Sequence, residues 1–293
     1  MGRPGRTLLV VTALALAGLI GALAPKLFPA ADDVGGPTHT DPYGRLASWR
    51  DKTATPCPAP GPRVAVILAA GQSNIGNHAE QRVTTDFPGR VFGFYAGQCM
   101  AAASPLLGAT ATAGEWLTLL GDALVRSGQW DAVVIAPAAV GGQPIRRFAD
   151  AADLGAMLGE TVAAVQARWR ITHVLWTQGE NDFLDRVTTT DYAAALQGIV
   201  DRLRAQRVDA PVFVSVTTYC PPMRPDWTAD NPIAQALRAA PDPERGIFPG
   251  ADSDAFDHIA DRYDDCHLSA KGQQDMAAAT ARAITARADA QRK

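Results

Sequence analysis

The sequence has no basic stripe and no Arg-rich run, and its formal net charge is -3. Nothing in it marks a nucleic-acid footprint, which needs clustered cations. It has no Cys-x2-Cys pair and no His-Glu-x-x-His segment, so the spacings that hold zinc are missing. No internal repeat is visible. What remains is a chain of 293 residues, 47% hydrophobic and 19% charged, a globular composition with ample material for a core. One domain of roughly 230 residues with an N-terminal appendage fits that length.

The appendage reads as a targeting segment. Arg3 and Arg6 precede Thr7 to Ala24, about 18 residues without a charge. A positive flank, an apolar stretch and small residues over residues 1–30 make a secretory signal or an uncleaved signal anchor. Ala22-Leu23-Ala24 resembles a cleavage site, but Pro25 directly after it hinders cutting and favours a retained anchor. Either way the body is exported, and the membrane is met only through this segment. Residues 31–62 are rich in Pro, Gly and Asp and read as a linker. Residues 63–293 form the expected domain. Export gives Cys57, Cys99, Cys220 and Cys266 an oxidising compartment, in which disulfides form. Four cysteines allow three pairings.

From Val64 the chain alternates in a βα rhythm. Val64-Ala65-Val66-Ile67-Leu68 reads as a buried parallel strand. Residues 91–95, 132–135, 174–176 and 211–216 read as four more. Residues 115–126, 150–169, 191–207 and 269–288 carry helical periods, with Ser269 as an N-cap. Such alternation predicts a three-layer α/β/α sandwich around a five-stranded parallel sheet. Residues 219–263 break the rhythm and read as a long loop lining a site.

Clusters of polar and small residues follow the strands. Gly71-Gln72-Ser73-Asn74 follows the first and Gly141-Gly142-Gln143-Pro144-Ile145 the third. Gln178-Gly179-Glu180-Asn181-Asp182 follows the fourth, and Asp264-Asp265-Cys266-His267 precedes the last helix. In a parallel sheet the carboxyl ends share one edge, where open α/β folds keep their sites. A serine hydrolase needs a nucleophile, a base, a group that orients the base and donors for the oxyanion. Ser73 supplies the hydroxyl, His267 the base, and Asp264 a carboxylate three residues before it. Gly141 and Gly142 offer backbone N–H groups, and Gln178 and Asn181 offer side-chain amides.

In this set of four motifs the chain resembles the SGNH hydrolase superfamily. The closer match is its carbohydrate-esterase branch, the sialate O-acetylesterase-like and acetylxylan-esterase-like proteins. The resemblance covers residues 64–288. It implies a flavodoxin-like α/β/α fold and hydrolysis of O-acetyl groups on carbohydrates, with no metal and no organic cofactor. Carried over, Ser73 is the nucleophile, His267 the base and Asp264 its orienting acid. The oxyanion hole then takes the N–H of Ser73 and that of Gly141 or Gly142. Its side-chain donor is either Gln178 or Asn181, with Gln178 favoured.

Several residues compete for these roles. His258 is a rival base but has Ala255, not an acid, three residues before it. Asp265 competes with Asp264. His78 can line the pocket, Glu180 bonds neighbouring loops, and Trp176, Trp227 and Phe183 are packing residues. An acyltransferase of the same fold and a non-catalytic glycan-binding module are the alternative functions. A lipase or thioesterase lacks the apolar lid it would need. Cys220 follows the fifth strand and Cys266 adjoins His267, so both fall on the site's edge. We expect Cys220 to pair with Cys266 and Cys57 with Cys99, the alternative being four buried free thiols.

Overall fold

A computed structural model describes Gly2, residues 38–222 and residues 225–292. Apart from Gly2, the targeting segment lies outside these residues. Among the described residues no helix is long and apolar enough to cross a membrane.

The chain first forms three short strands, β1 (His39–Thr40), β2 (Leu46–Ser48) and β3 (Ala54–Thr55). Then come β4 (Val64–Gly71), β5 (Val91–Tyr95), β6 (Gln98–Ala101), α1 (Leu117–Arg126) and β7 (Ala132–Ala139). The middle of the chain holds α2 (Ile145–Ala149), α3 (Leu154–Gln166), β8 (His173–Thr177), α4 (Glu180–Leu184) and α5 (Thr189–Ala205). The rest is β9 (Val212–Val216), α6 (Pro232–Ala239), β10 (Ile247–Asp252) and α7 (Ala270–Arg292).

The main sheet has eight strands in the order β10-β9-β8-β4-β7-β5-β6-β3. The six from β10 to β5 pair in parallel, while β5–β6 and β6–β3 are antiparallel. β4 sits in the middle because it is apolar on both faces. Val66, Leu68 and Ala70 point into one core layer, with side chains of α2, α3, α5 and α6. Ala65, Ile67 and Ala69 point into the other, with side chains of α1 and α7. The two-residue period of a strand thus divides one run between two cores. The three-layer sandwich of the sequence reading is borne out.

Three details depart from that reading. β10, an added parallel strand, lies inside the expected long loop of residues 219–263. It carries Pro249 and Gly250, which hide a strand's pattern, and it is an edge strand, where proline is tolerated. The predicted helix over 150–169 is α3 alone, because the chain is extended at Asp150 (ψ 119). Ser269 does cap α7, accepting the N–H of Gly272 at 3.2 Å.

The third departure is the linker. Residues 38–62 pack against the domain instead of leading up to it. Leu46, Ala47 and Ser48 are buried, and Leu46 N–H donates to the Ala109 carbonyl at 2.9 Å. Tyr43 Oη donates to Glu160 Oε1 at 3.0 Å and Arg45 to Thr161 Oγ1 at 3.1 Å, both on α3. β3 closes the sheet edge against β6, and the Cys57–Cys99 disulfide staples it there. A segment poor in periodicity is held by specific polar partners that composition does not reveal.

That disulfide spans a separation of 42 residues, and closing such a loop contributes about 3–4 kcal/mol in the chain-entropy account. Replacing both Cys57 and Cys99 with Ser should lower the unfolding free energy by roughly that amount, read from denaturant melts. An unchanged midpoint would contradict the stapling role.

Candidate active site

β4, β7 and β8 end level. Gly71 is in register with Ala139 on one side and Thr177 on the other. Gln72, Val140 and Gln178 therefore leave the sheet side by side, at the point where connections diverge to left and right. Gly71 has a φ of 143°, and a Cβ there would lie 2.0 Å from the Thr177 carbonyl oxygen. Only glycine allows that approach. It turns the chain into a short 3₁₀ helix, Ser73–Ile75, that starts on Ser73.

Ser73 and Asn74 are each 6% exposed. Asn74 fixes the turn from both sides. Its carbonyl accepts the indole N–H of Trp116 at 2.7 Å. Its Nδ2 donates to Glu180 Oε1 at 2.5 Å and to the Cys266 carbonyl at 3.4 Å. Glu180 also accepts from Thr217 Oγ1 at 2.5 Å. It is wholly buried, and burial pushes its carboxyl above the usual range. Its expected role as a bond between loops is what these contacts describe.

The base loop is tied down at the same place. Arg262, itself buried, donates to the Cys266 carbonyl at 3.0 Å and to the Ser253 carbonyl at 2.9 Å. Cys266 is disulfide-bonded to Cys220 at the end of β9, the pairing expected from their shared edge. Asp264 Oδ1 accepts the N–H groups of Cys266 at 3.1 Å and His267 at 2.6 Å. Its Oδ2 lies 2.8 Å from His267 Nδ1. Burial pushes the Asp264 carboxyl up, but these bonds from His267 outweigh it and hold it below the usual carboxylate range. With Nδ1–H donated to Asp264, Nε2 carries the lone pair. Asp265 has a left-handed φ of 61° and does not take the orienting place. His258 binds the Asp254 carbonyl at 2.9 Å through Nε2 and stacks on Tyr219, with no carboxylate on its ring.

Among the described residues the Ser73 hydroxyl makes no hydrogen bond, to His267 or to any other group. Such bonds often tighten only when substrate arrives. The two side chains are brought together through Asn74 and Cys266.

His78 stacks on His267, with ring centroids 5.3 Å apart and planes 22° apart. Its Nε2 is 3.1 Å from Thr110 Oγ1, which accepts the N–H of Gly141 at 2.8 Å. This corrects one expectation. Gly141 N–H is already used, and Gly141 serves by being small, since a Cβ there would lie 2.6 Å from His78 Nε2. The N–H groups of Ser73 and Gly142 have no acceptor among the described residues.

The two amides fare differently. Gln178 is wholly buried, and its Nε2 faces Gln72 Oε1 at 3.0 Å, the Gln143 carbonyl at 3.1 Å and Asp182 Oδ2. Asn181 Nδ2 donates to Asp185 Oδ2 at 3.2 Å. Gln178 therefore has no proton to spare for the expected oxyanion role, while Asn181 Nδ2 spends one of its two protons on Asp185. Trp176 and Phe183 are core residues, and Trp227 packs edge-on to Tyr219. Sequence reasoning missed Thr110 and Arg262, which sit in stretches without a pattern.

A cavity of about 460 Å³ lined by Val64, Trp169, Arg170, Thr172 and Asp209 opens at the amino ends of the strands. It lies at the opposite end of the sheet from Ser73 and is lined by no serine, cysteine or histidine. Among the described residues no group of three or more His, Cys, Asp or Glu side chains is set to hold a metal ion.

A hydroxyl, a carboxylate-oriented imidazole and free backbone donors at one sheet edge make the outline of a serine hydrolase. The family model described as carbohydrate esterase, sialic acid-specific acetylesterase, matches residues 63–286, and the chain belongs to that family. It is accordingly a carboxylic ester hydrolase of the carbohydrate-esterase kind. No curated protein matches the sequence. Among solved structures, a protein from Arabidopsis thaliana is similar, with 16% identity over 77% of this chain and 99% of that one and a TM-score of 0.61. A lipase/acylhydrolase from Enterococcus faecalis is similar at 15% identity, over 76% of this chain and 96% of that one, with a TM-score of 0.50. These likenesses show the fold.

The stacked His78 has a consequence for pH. Burial, with the neighbouring His267 adding to it, pushes its pKa from 6.5 down to about 4. Between those values the unfolded chain binds the proton and the folded one does not. Its stabilising contribution is therefore present above pH 6.5 and lost as pH falls towards 4, by up to about 3 kcal/mol. Relative to His78→Gln, the wild type should lose stability across that window in denaturant melts. A difference that stays constant with pH would refute the neutral, half-buried ring.

Proposed function

We propose that the protein removes O-acetyl groups from carbohydrates through an acetyl-enzyme on Ser73. The observation that carries this reading is the 2.8 Å contact between Asp264 and His267 Nδ1, on a loop bonded to the turn that bears Ser73. His267 Nε2 takes the Ser73 proton as Oγ attacks the acetyl carbonyl. Asp264 stabilises the imidazolium and keeps its tautomer. The N–H groups of Ser73 and Gly142 take the oxyanion. The C–O bond to the sugar then breaks, and the sugar oxygen leaves with the proton from His267. Water, deprotonated by His267, attacks the acetyl-enzyme. Acetate departs and the serine is restored.

His78 supports this sequence. A neutral ring against His267 puts no second positive charge beside the imidazolium as it forms. The reading also takes the chain to work outside the cytoplasm, delivered by residues 1–30. Its two disulfides fit an oxidising compartment.

Acetate release from a panel of acetylated glycans, run beside a short-chain aryl acetate, tests the proposal. Ser73→Ala should abolish turnover, with a loss of about 10⁴-fold or more, and leave the melting temperature intact. His267→Ala should cost a similar factor. Asp264→Asn should cost less, about 10²–10⁴-fold, because the imidazole is still present though poorly held. Undiminished turnover by a folded Ser73→Ala variant would end the serine-esterase reading.

A further inference from the structure

Gln178 Nε2 has two protons and three acceptors around it. Turning the amide over would set its oxygen against all three, so its orientation is fixed by the network. The Tyr192 hydroxyl lies 2.9 Å from the other end, Gln178 Oε1. What this clamp holds is the side chain of Gln72. Gln72 Oε1 accepts Gln178 Nε2 at 3.0 Å and the backbone N–H of Asn181 at 3.4 Å.

Two donors on one oxygen set the sense of the Gln72 amide, and Nε2 must face the other way. There it has no acceptor among the described residues, although the residue as a whole is only 3% exposed. Glu180 Oε2 and Asp182 Oδ1 are unpartnered but sealed from solvent. Gln72 Nε2 is not sealed, so water or a ligand is what remains for it. Gln72 directly precedes Ser73. The level ends of β4, β7 and β8 set it between the segments that carry Gly142 and Gln178.

We propose that Gln72 Nε2 is the side-chain donor of the oxyanion hole, beside the N–H groups of Ser73 and Gly142. Gln178 is then a positioning residue that aims Gln72, and Asn181 contributes its backbone alone. The inference rests on Ser73 being the nucleophile. It moves the side-chain donor from the segment after β8 to the residue next to the serine.

The native enzyme can be inactivated with a small alkyl fluorophosphonate, which loses fluoride as the serine oxygen bonds to phosphorus. The phosphoryl oxygen of the adduct then stands where the oxyanion would. A crystal structure of the adduct should show that oxygen within about 3 Å of Gln72 Nε2. Adduct on Ser73 with Gln72 Nε2 out of reach, or with Asn181 Nδ2 in its place, overturns this inference alone. Adduct on another residue overturns the nucleophile reading and the inference with it. In solution, Gln72→Met should lower kcat on a short-chain aryl acetate by about 10²–10³-fold. KM should stay within about threefold of the wild type, and Asn181→Ala should lower kcat by much less. A Gln72→Met kcat within threefold of the wild type, or an equal loss from Asn181→Ala, contradicts the assignment.

Discussion

The carbonyl oxygen of Cys266 accepts two hydrogen bonds, one from Asn74 and one from the buried Arg262. Asn74 is the neighbour of Ser73, and Cys266 is the neighbour of His267. Ser73 and His267, the proposed nucleophile and base, come from segments 194 residues apart, and this carbonyl is where those segments meet. Each partner has a second bond, from Arg262 to the carbonyl and from Asn74 to Glu180, so the contact is one link in a buried network. Glu180 holds the other side of the Asn74 amide, and the Cys220–Cys266 disulfide pins the base loop to the end of β9. Asp264 then needs only a three-residue turn to reach the imidazole. A misplacement of about 1 Å at a catalytic site can cost about 10²-fold in rate, which is what these ties guard against in the proposed reaction.

Space matters at this edge as much as hydrogen bonding. Gly71 lets β4 and β8 close up at the turn, and Gly141 leaves room for the ring of His78. The stacked His78 in turn packs against the base. The result is a floor of backbone donors with few atoms to spare, built where three strands end at one level.

Much of this was legible in the sequence. The unbroken apolar run from Val64 reads as a buried parallel strand, and in a parallel sheet the motifs after successive strands share an edge. The spacing of Asp264 and His267 favoured that pair over Asp265 and His258, and placing Cys220 and Cys266 at one edge favoured the pairing found among the three that four cysteines allow. Other parts were not legible, for physical reasons. β10 hides behind Pro249 and Gly250, and β3 has two residues. The segment before Val64 is fixed by single polar contacts such as Tyr43 with Glu160, which leave no periodicity. Which amide is free could not be read either. Gln178, Asn181 and Gln72 are equivalent donors as letters, and only the acceptors around Gln178 show that its protons are taken. The same holds for Gly141, whose N–H goes to a threonine in a patternless loop.

The account stands on the acetyl group passing through Ser73. Rapid acid quench after mixing the enzyme with a short-chain aryl acetate, followed by mass spectrometry of the peptide bearing Ser73, tests this directly. The prediction is a burst of aryl alcohol matched by one acetyl group on Ser73, rising and then holding while acetate accumulates. A burst and steady acetate release from an enzyme whose Ser73 peptide never carries the acetyl group would contradict it.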